Sequence, residues 1–323
     1  MKRPISRPFC LLFLAVLSLT SCLPATYPAT PTPTFVLSNT LIPTSTVTQL
    51  PPTATSTLLP PIQQVLILSI DGLRPDAIAA APMPNVQALM QAGAFSLTAQ
   101  TIFPSSTLPA HASMLTGLCP SKHGVDWDYY DLSLGYAKGP SLFDLARTAG
   151  LETVMVVGKL KLRQVTDPAS TDIFTLINDR DTVIAQQIAD DFPMPDMGDV
   201  YGWMSPNYLD VVRQSDQALG ILLRALEDAG LHDETLIIIT ADHGGHGTTH
   251  GSNLPEDMTI PWVINGPGVV PGKITNPINT TDTAATAAWA LGLPIPAEWD
   301  GIPVYEAFGL PYQTRPDPRC PLK

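Results

Sequence analysis

The chain has 323 residues with 34 prolines; charged residues make up only 14%, and 29 Asp and Glu against 17 Lys and Arg give a formal charge of −12. The charged fraction is well below the usual value of about 25%, and the acidic balance excludes a general affinity for nucleic-acid backbones, which needs the opposite sign. The longest apolar run, residues 9–19, is too short for a membrane-spanning helix of roughly 20 residues.

In chain order, Lys2, Arg3 and Arg7 precede that apolar run, and a small-residue boundary at Ser21-Cys22 follows it, so residues 1–21 read as an export leader. The Leu19-Thr20-Ser21-Cys22 ending resembles a bacterial lipoprotein signal, which implies cleavage before Cys22 and lipidation of its sulfur. Acyl chains there would anchor the protein to the outer face of the cell membrane without a spanning helix. Residues 23–61 hold eleven Thr and nine Pro but no Gly and no charge. Such composition favours an extended, unfolded spacer, so residues 22–61 are expected to form a tether. Residues 62–323 remain for one folded domain, in which Cys119 and Cys320 are either a disulfide in an oxidising exterior or two separate thiols.

Three short apolar, β-branched runs at 65–70, 153–157 and 236–240 read as buried strands. Helical patterns at 84–92, 108–116, 141–149, 182–191, 206–229 and 282–291 separate or follow them, several ending at a glycine such as Gly117 or Gly230. This is the α/β pattern of a three-layer α/β/α sandwich around a mainly parallel central sheet. Ligands of such sheets gather at the carboxyl ends of the strands. There the chain places Asp71-Gly72, Gly158-Lys159, and a loop running from Asp242-His243 through His246 to His250.

Carboxylates and imidazoles together suit zinc or a similar divalent ion, which makes Asp71, Asp242, His243 and His250 candidate metal ligands. Each alone reads as a cap or a buried polar group; three of the chain's six histidines within eight residues of a glycine-rich loop shift the reading to a site. Thr107 stands at the start of the helix that ends at Gly117, with Pro109 in the first turn. It is either an N-cap or a nucleophile beside the anion-favouring end of that helix.

These residues resemble the nucleotide pyrophosphatase/phosphodiesterase (type I phosphodiesterase) branch of the alkaline-phosphatase superfamily. The resemblance is carried by Asp71-Gly72, Thr107 with Pro109 and His111, the stretch 116–124, Gly202-Trp203-Met204-Ser205, Asp242-His243-Gly244 and His250-Gly251. It implies an alkaline-phosphatase-like fold and two divalent metal ions, usually zinc. It also implies a threonine, here Thr107, that carries the phosphoryl group transiently. Position by position, Asp71, Thr107, Asp242 and His243 would hold one ion, and Asp196 and His250 part of the other. A bound ion can stabilise a threonine alkoxide and so replace a general base. Sulfatases, the sibling chemistry, place a cysteine where Thr107 stands, which demotes sulfate-ester hydrolysis.

Two departures stand out. Where the family pattern has a histidine before the Gly-Trp-Met-Ser run, this chain has Asp199, with His246 as the other residue that could fill the place. Where the family has an asparagine that donates to a phosphoryl oxygen, this chain has Asp128, a residue with no donor when ionised. Lys159, with Lys161 and Arg163, could restore positive charge at the substrate or form a solvated basic turn. The expected function is metal-dependent hydrolysis of small phosphate esters, diesters or nucleotide pyrophosphate bonds foremost. The alternatives are a phosphomonoesterase or phosphonate hydrolase, and a surface lipoprotein that binds metal or a phosphorylated ligand with little turnover.

Overall fold

The computed structural model describes residues 62–176, 197–314 and 320. The expected leader 1–21, Cys22 with the tether 22–61, the expected helix 182–191 and Asp196 lie outside the described residues.

Among the described residues the main sheet has five strands in the order β1 (Gln64–Ser69), β5 (Thr235–Thr240), β6 (Thr259–Asn265), β2 (Ala94–Gln100) and β7 (Gly272–Lys273). β1 is parallel to β5, and β2 to β7, whereas β6 runs antiparallel to both β5 and β2. The sheet is therefore mixed but mainly parallel, with β6 alone reversed. β5 is buried along its whole length, as its run of Ile237, Ile238 and Ile239 requires for a strand covered on both faces.

The run at 153–157 was expected beside these strands. It forms β3 (Val154–Val157) and pairs with β4 (Ile173–Leu176) in a separate two-stranded parallel sheet. Its partner β4 is apolar at Ile173, Phe174 and Leu176, but the run is only four residues long, broken by Thr175 and half-buried, too short to stand out as a strand. β2 and β6 escaped the sequence reading for a similar reason: Ser96 and Thr98 interrupt one, and Pro261 the other.

Helices cover the sheet in two groups. α1 (Pro84–Ala92) packs on α4 (Pro206–Asp228), while α2 (Thr107–Thr116), α3 (Leu142–Thr148) and α5 (Asp282–Ala290) pack on one another. The result is the three-layer α/β/α sandwich that the sequence predicts. α4 buries Tyr208, Val212, Leu219, Leu222 and Leu226 along one face, and the Ser205 hydroxyl caps it by accepting the Tyr208 N–H at 3.2 Å. Cys119, just beyond α2, is joined to Cys320 in a disulfide, which ties the chain's last described residue to the helix that begins with Thr107.

Candidate metal centre and nucleophile

Strand ends deliver the site as the parallel sheet predicts: Asp71 follows β1, Asp242 and His243 follow β5, and Lys159 follows β3. The turn holding Asp71 is fastened on both sides. Gly72, at φ 65°, donates its N–H to Asp242 Oδ1 at 3.0 Å. Its carbonyl accepts from the Trp203 indole at 2.9 Å and from the Tyr208 hydroxyl at 3.0 Å. Burial pushes the Tyr208 phenol well above its ordinary pKa, so it remains a donor.

Asp242 is fully buried. Its Oδ1 accepts from Gly72 and from the His243 N–H at 2.9 Å, and its carbonyl accepts from the Thr101 hydroxyl. Among the described residues its Oδ2 has no hydrogen-bond partner; it is buried and flanked by His243 Nε2 at 3.4 Å and His111 Nδ1 at 3.5 Å. A buried carboxylate oxygen left in that state is costly unless a cation meets it.

His243 points the same way. Its Nδ1 lies 2.6 Å from the Gly244 carbonyl, which can only accept, so Nδ1 carries the proton and Nε2 presents a lone pair. That Nε2 is 3.5 Å from Asp71 Oδ1 and 3.5 Å from Thr107 Oγ1. One ligand atom from each of Asp71, Asp242 and His243 falls within 4.8 Å of the others. Two carboxylate oxygens and an imidazole nitrogen beside a hydroxyl, one oxygen lacking any hydrogen bond, fit a divalent ion.

A second half-site adjoins it. His250 Nδ1 lies 3.0 Å from the Ser105 carbonyl, so its Nε2 also presents a lone pair, and this atom is 3.8 Å from Asp199 Oδ2. The His250 ring stacks on His243 with centroids 4.0 Å apart. Asp199 therefore reaches His250, whereas His246 turns to Asp257, Nδ1 to Oδ1 at 2.7 Å. Burial pushes the Asp257 carboxyl up, but hydrogen bonds from His246 and Ser252 outweigh it and hold the group below its ordinary value.

Thr107 is the first residue of α2 and buried; the N-cap position belongs to Ser106, whose hydroxyl makes no capping bond. Thr107 is thus not the cap, and its hydroxyl faces His243. Asp128 accepts the Leu108 N–H at 2.8 Å through Oδ1 and takes Lys161 Nζ at 2.9 Å on Oδ2. Lys159 Nζ is 2.7 Å from Asp71 Oδ2. Arg163 instead lies over the Phe174 ring, 4.4 Å from its centroid, which removes it from the group expected near the substrate.

Sequence reasoning missed the fastening residues. Trp203 stands in the Gly202–Ser205 run, but nothing local shows that its indole reaches a carbonyl 131 residues earlier. The roles of Thr101, Ser105 and Tyr208 carry no local signal either.

The sequence model of the type I phosphodiesterase/nucleotide pyrophosphatase family matches residues 65–137, and that of the sulfatases matches residues 203–293. Ectonucleotide pyrophosphatase/phosphodiesterase family member 3 of Bos taurus is 27% identical over 218 residues, covering 56% of this chain and 24% of the relative. The chain thus spans about a quarter of that relative's length. Among solved structures, murine ectonucleotide pyrophosphatase/phosphodiesterase 5, in an inactive threonine-to-alanine form in complex with AMP, superposes with a TM-score of 0.59 at 17% identity, covering 75% of this chain and 98% of that one. The phosphonate monoester hydrolase of Silicibacter pomeroyi gives a TM-score of 0.59 at 18% identity over 78% of each chain.

Proposed function

We propose, from the premise that this chain belongs to the nucleotide pyrophosphatase/phosphodiesterase family of the alkaline-phosphatase superfamily, that it hydrolyses small phosphate esters with Thr107 as the acceptor of the phosphoryl group. The observation that carries the reading is the position of Thr107 Oγ1, 3.5 Å from the His243 Nε2 that also faces Asp71 and Asp242.

Asp71, Asp242 and His243 would hold one divalent ion, and His250 and Asp199, with Asp196, a second; zinc suits the donors of the first set best. Bound there, the metal supplies Lewis acidity that favours the threonine alkoxide and offsets charge on the phosphoryl oxygens. The chain's residues do the rest. The Gly72 bonds fix the Asp71 turn, and the Gly244 carbonyl fixes the His243 tautomer. Burial of Thr107 keeps bulk water from the hydroxyl. Attack of Oγ1 on phosphorus forms one P–O bond as the bond to the leaving oxygen breaks, that oxygen taking the bonding pair and, on balance, the proton lost by the Thr107 hydroxyl. Water then cleaves the phosphothreonine and restores Thr107.

Diesters and nucleotide pyrophosphate bonds are the substrates this family reading favours. The sulfatase match begins at residue 203 and so excludes Thr107, and Cys119 is held in a disulfide. Both facts weigh against sulfate esters. An exported, lipid-anchored location through Cys22 rests on the leader composition, and a disulfide suits such an oxidising compartment. The carboxylates at Asp199 and Asp128 favour a second reading, a surface lipoprotein that binds metal or a phosphorylated ligand with little turnover.

Metal-reconstituted protein assayed on p-nitrophenyl phosphodiesters separates the two. Turnover that vanishes in Thr107→Ala supports the enzyme; equal residual rates in both proteins support the binding protein. A panel of mono-, di- and phosphonate esters then ranks the substrate classes.

A further inference from the structure

The helix that presents Thr107 is capped from outside its own sequence. Ser106 makes no capping bond, and the first-turn N–H of Leu108 donates instead to Asp128, 20 residues on. A first-turn amide is a place where the oxygen of an anionic phosphoryl group is stabilised. Here a carboxylate of the chain already occupies it, one residue from the proposed phosphoryl acceptor. A carboxylate so placed repels an anionic substrate unless its charge is balanced.

Lys161 provides that balance. It reaches Asp128 Oδ2 at 2.9 Å from the turn after β3, and two residues earlier Lys159 reaches Asp71 Oδ2 at 2.7 Å. The two aspartates are used alike. Each turns one oxygen toward the nucleophile's side, Asp71 Oδ1 to His243 and Asp128 Oδ1 to Leu108, and gives the other to a lysine of this turn.

We propose that Asp128 and Lys161 act as a positioning pair: Asp128 fixes the first turn of α2, and with it Thr107, while Lys161 cancels the charge that would otherwise oppose the incoming phosphoryl group. The proposal rests on Thr107 being the acceptor.

The test is a double-substitution cycle on metal-reconstituted full-length protein, reading kcat and KM for bis(p-nitrophenyl) phosphate. Lys161→Met leaves the carboxylate unbalanced, and kcat/KM should fall about a hundredfold. Lys161→Arg keeps the charge and should stay within about tenfold of the wild type. The combined Asp128→Asn/Lys161→Met protein should regain at least about tenfold over Lys161→Met, because an amide oxygen still accepts the Leu108 N–H without bringing a charge. Urea unfolding of the same variants is read beside the rates: a purely structural pair would make loss and recovery of kcat/KM follow loss and recovery of stability, whereas the proposal expects the rates to change while the fold at assay temperature stays intact. Wild-type rates in Lys161→Met, or a combined variant no faster than Lys161→Met, overturn the proposal. If Lys161→Met does not fold, Lys161→Gln takes its place in the cycle. Thr107→Ala separates the two levels: an active Thr107→Ala protein removes the reading of the acceptor, whereas an inactive one with no recovery in the cycle removes only the pair.

Discussion

The Trp203 indole donates to the Gly72 carbonyl at 2.9 Å, so the turn that carries Asp71 hangs on a residue from the segment that precedes α4. The Tyr208 hydroxyl shares that carbonyl at 3.0 Å. Trp203→Phe should therefore leave Gly72 with one partner and lower stability by about 1 kcal/mol. Adding Tyr208→Phe strands a buried carbonyl and should cost a further 1–3 kcal/mol or so. Denaturant unfolding measures both, and metal titration should show affinity falling about tenfold as the turn loosens.

Gly245 leaves no room for a side chain. A Cβ there would lie 2.1 Å from the Trp203 ring, far inside contact distance. Gly245→Ala should displace the indole or the loop that follows His243, costing about 1–3 kcal/mol and weakening metal binding with it. The paired readout is thermal unfolding with and without added metal.

The Asp257 carboxyl, held below its ordinary value by His246 and Ser252, makes stability depend on pH with a defined sign. Because the folded value is depressed, the contribution is complete above the ordinary carboxylate value near 4 and is lost as pH falls through the folded value. Asp257→Asn should be less stable than the wild type by about 1–3 kcal/mol at neutral pH. The gap should stay constant from about pH 5 to 8 and narrow below about pH 4. Urea unfolding across that range measures it.

The Asp242 Oδ2, which accepts no hydrogen bond among the described residues, predicts a metal-dependent stability. Chelation should lower the melting temperature, and zinc at about a hundred times its Kd should restore about 2.7 kcal/mol. Asp242→Asn should abolish that gain, since an amide oxygen is a far weaker ligand for the ion.

Much of this site was legible because its ligands are close in sequence to strong strand signals. Asp71 and Asp242-His243 directly follow runs whose apolar, β-branched content marks them as buried. The topology of a parallel sheet then brings their ends together. The run at 153–157 predicts a strand, and β3 is one, but it pairs with β4 outside the main sheet, because apolar content reports burial and not partner choice. The reversed β6 was missed because Thr259 and Pro261 dilute its pattern. At Asp128 the sequence showed the missing donor but not the remedy. Lys161 is 33 residues away, and only the fold reveals that it faces this carboxylate while Arg163, two positions on, faces Phe174.

The most direct measurement is an acid quench of the metal-reconstituted protein during turnover of a phosphodiester, followed by peptide mapping of bound phosphoryl groups. A phosphoryl group on Thr107, absent from Thr107→Ala together with turnover, is the predicted result. Sustained turnover by the Thr107→Ala protein, or a phosphoryl group trapped on a different side chain, would contradict it.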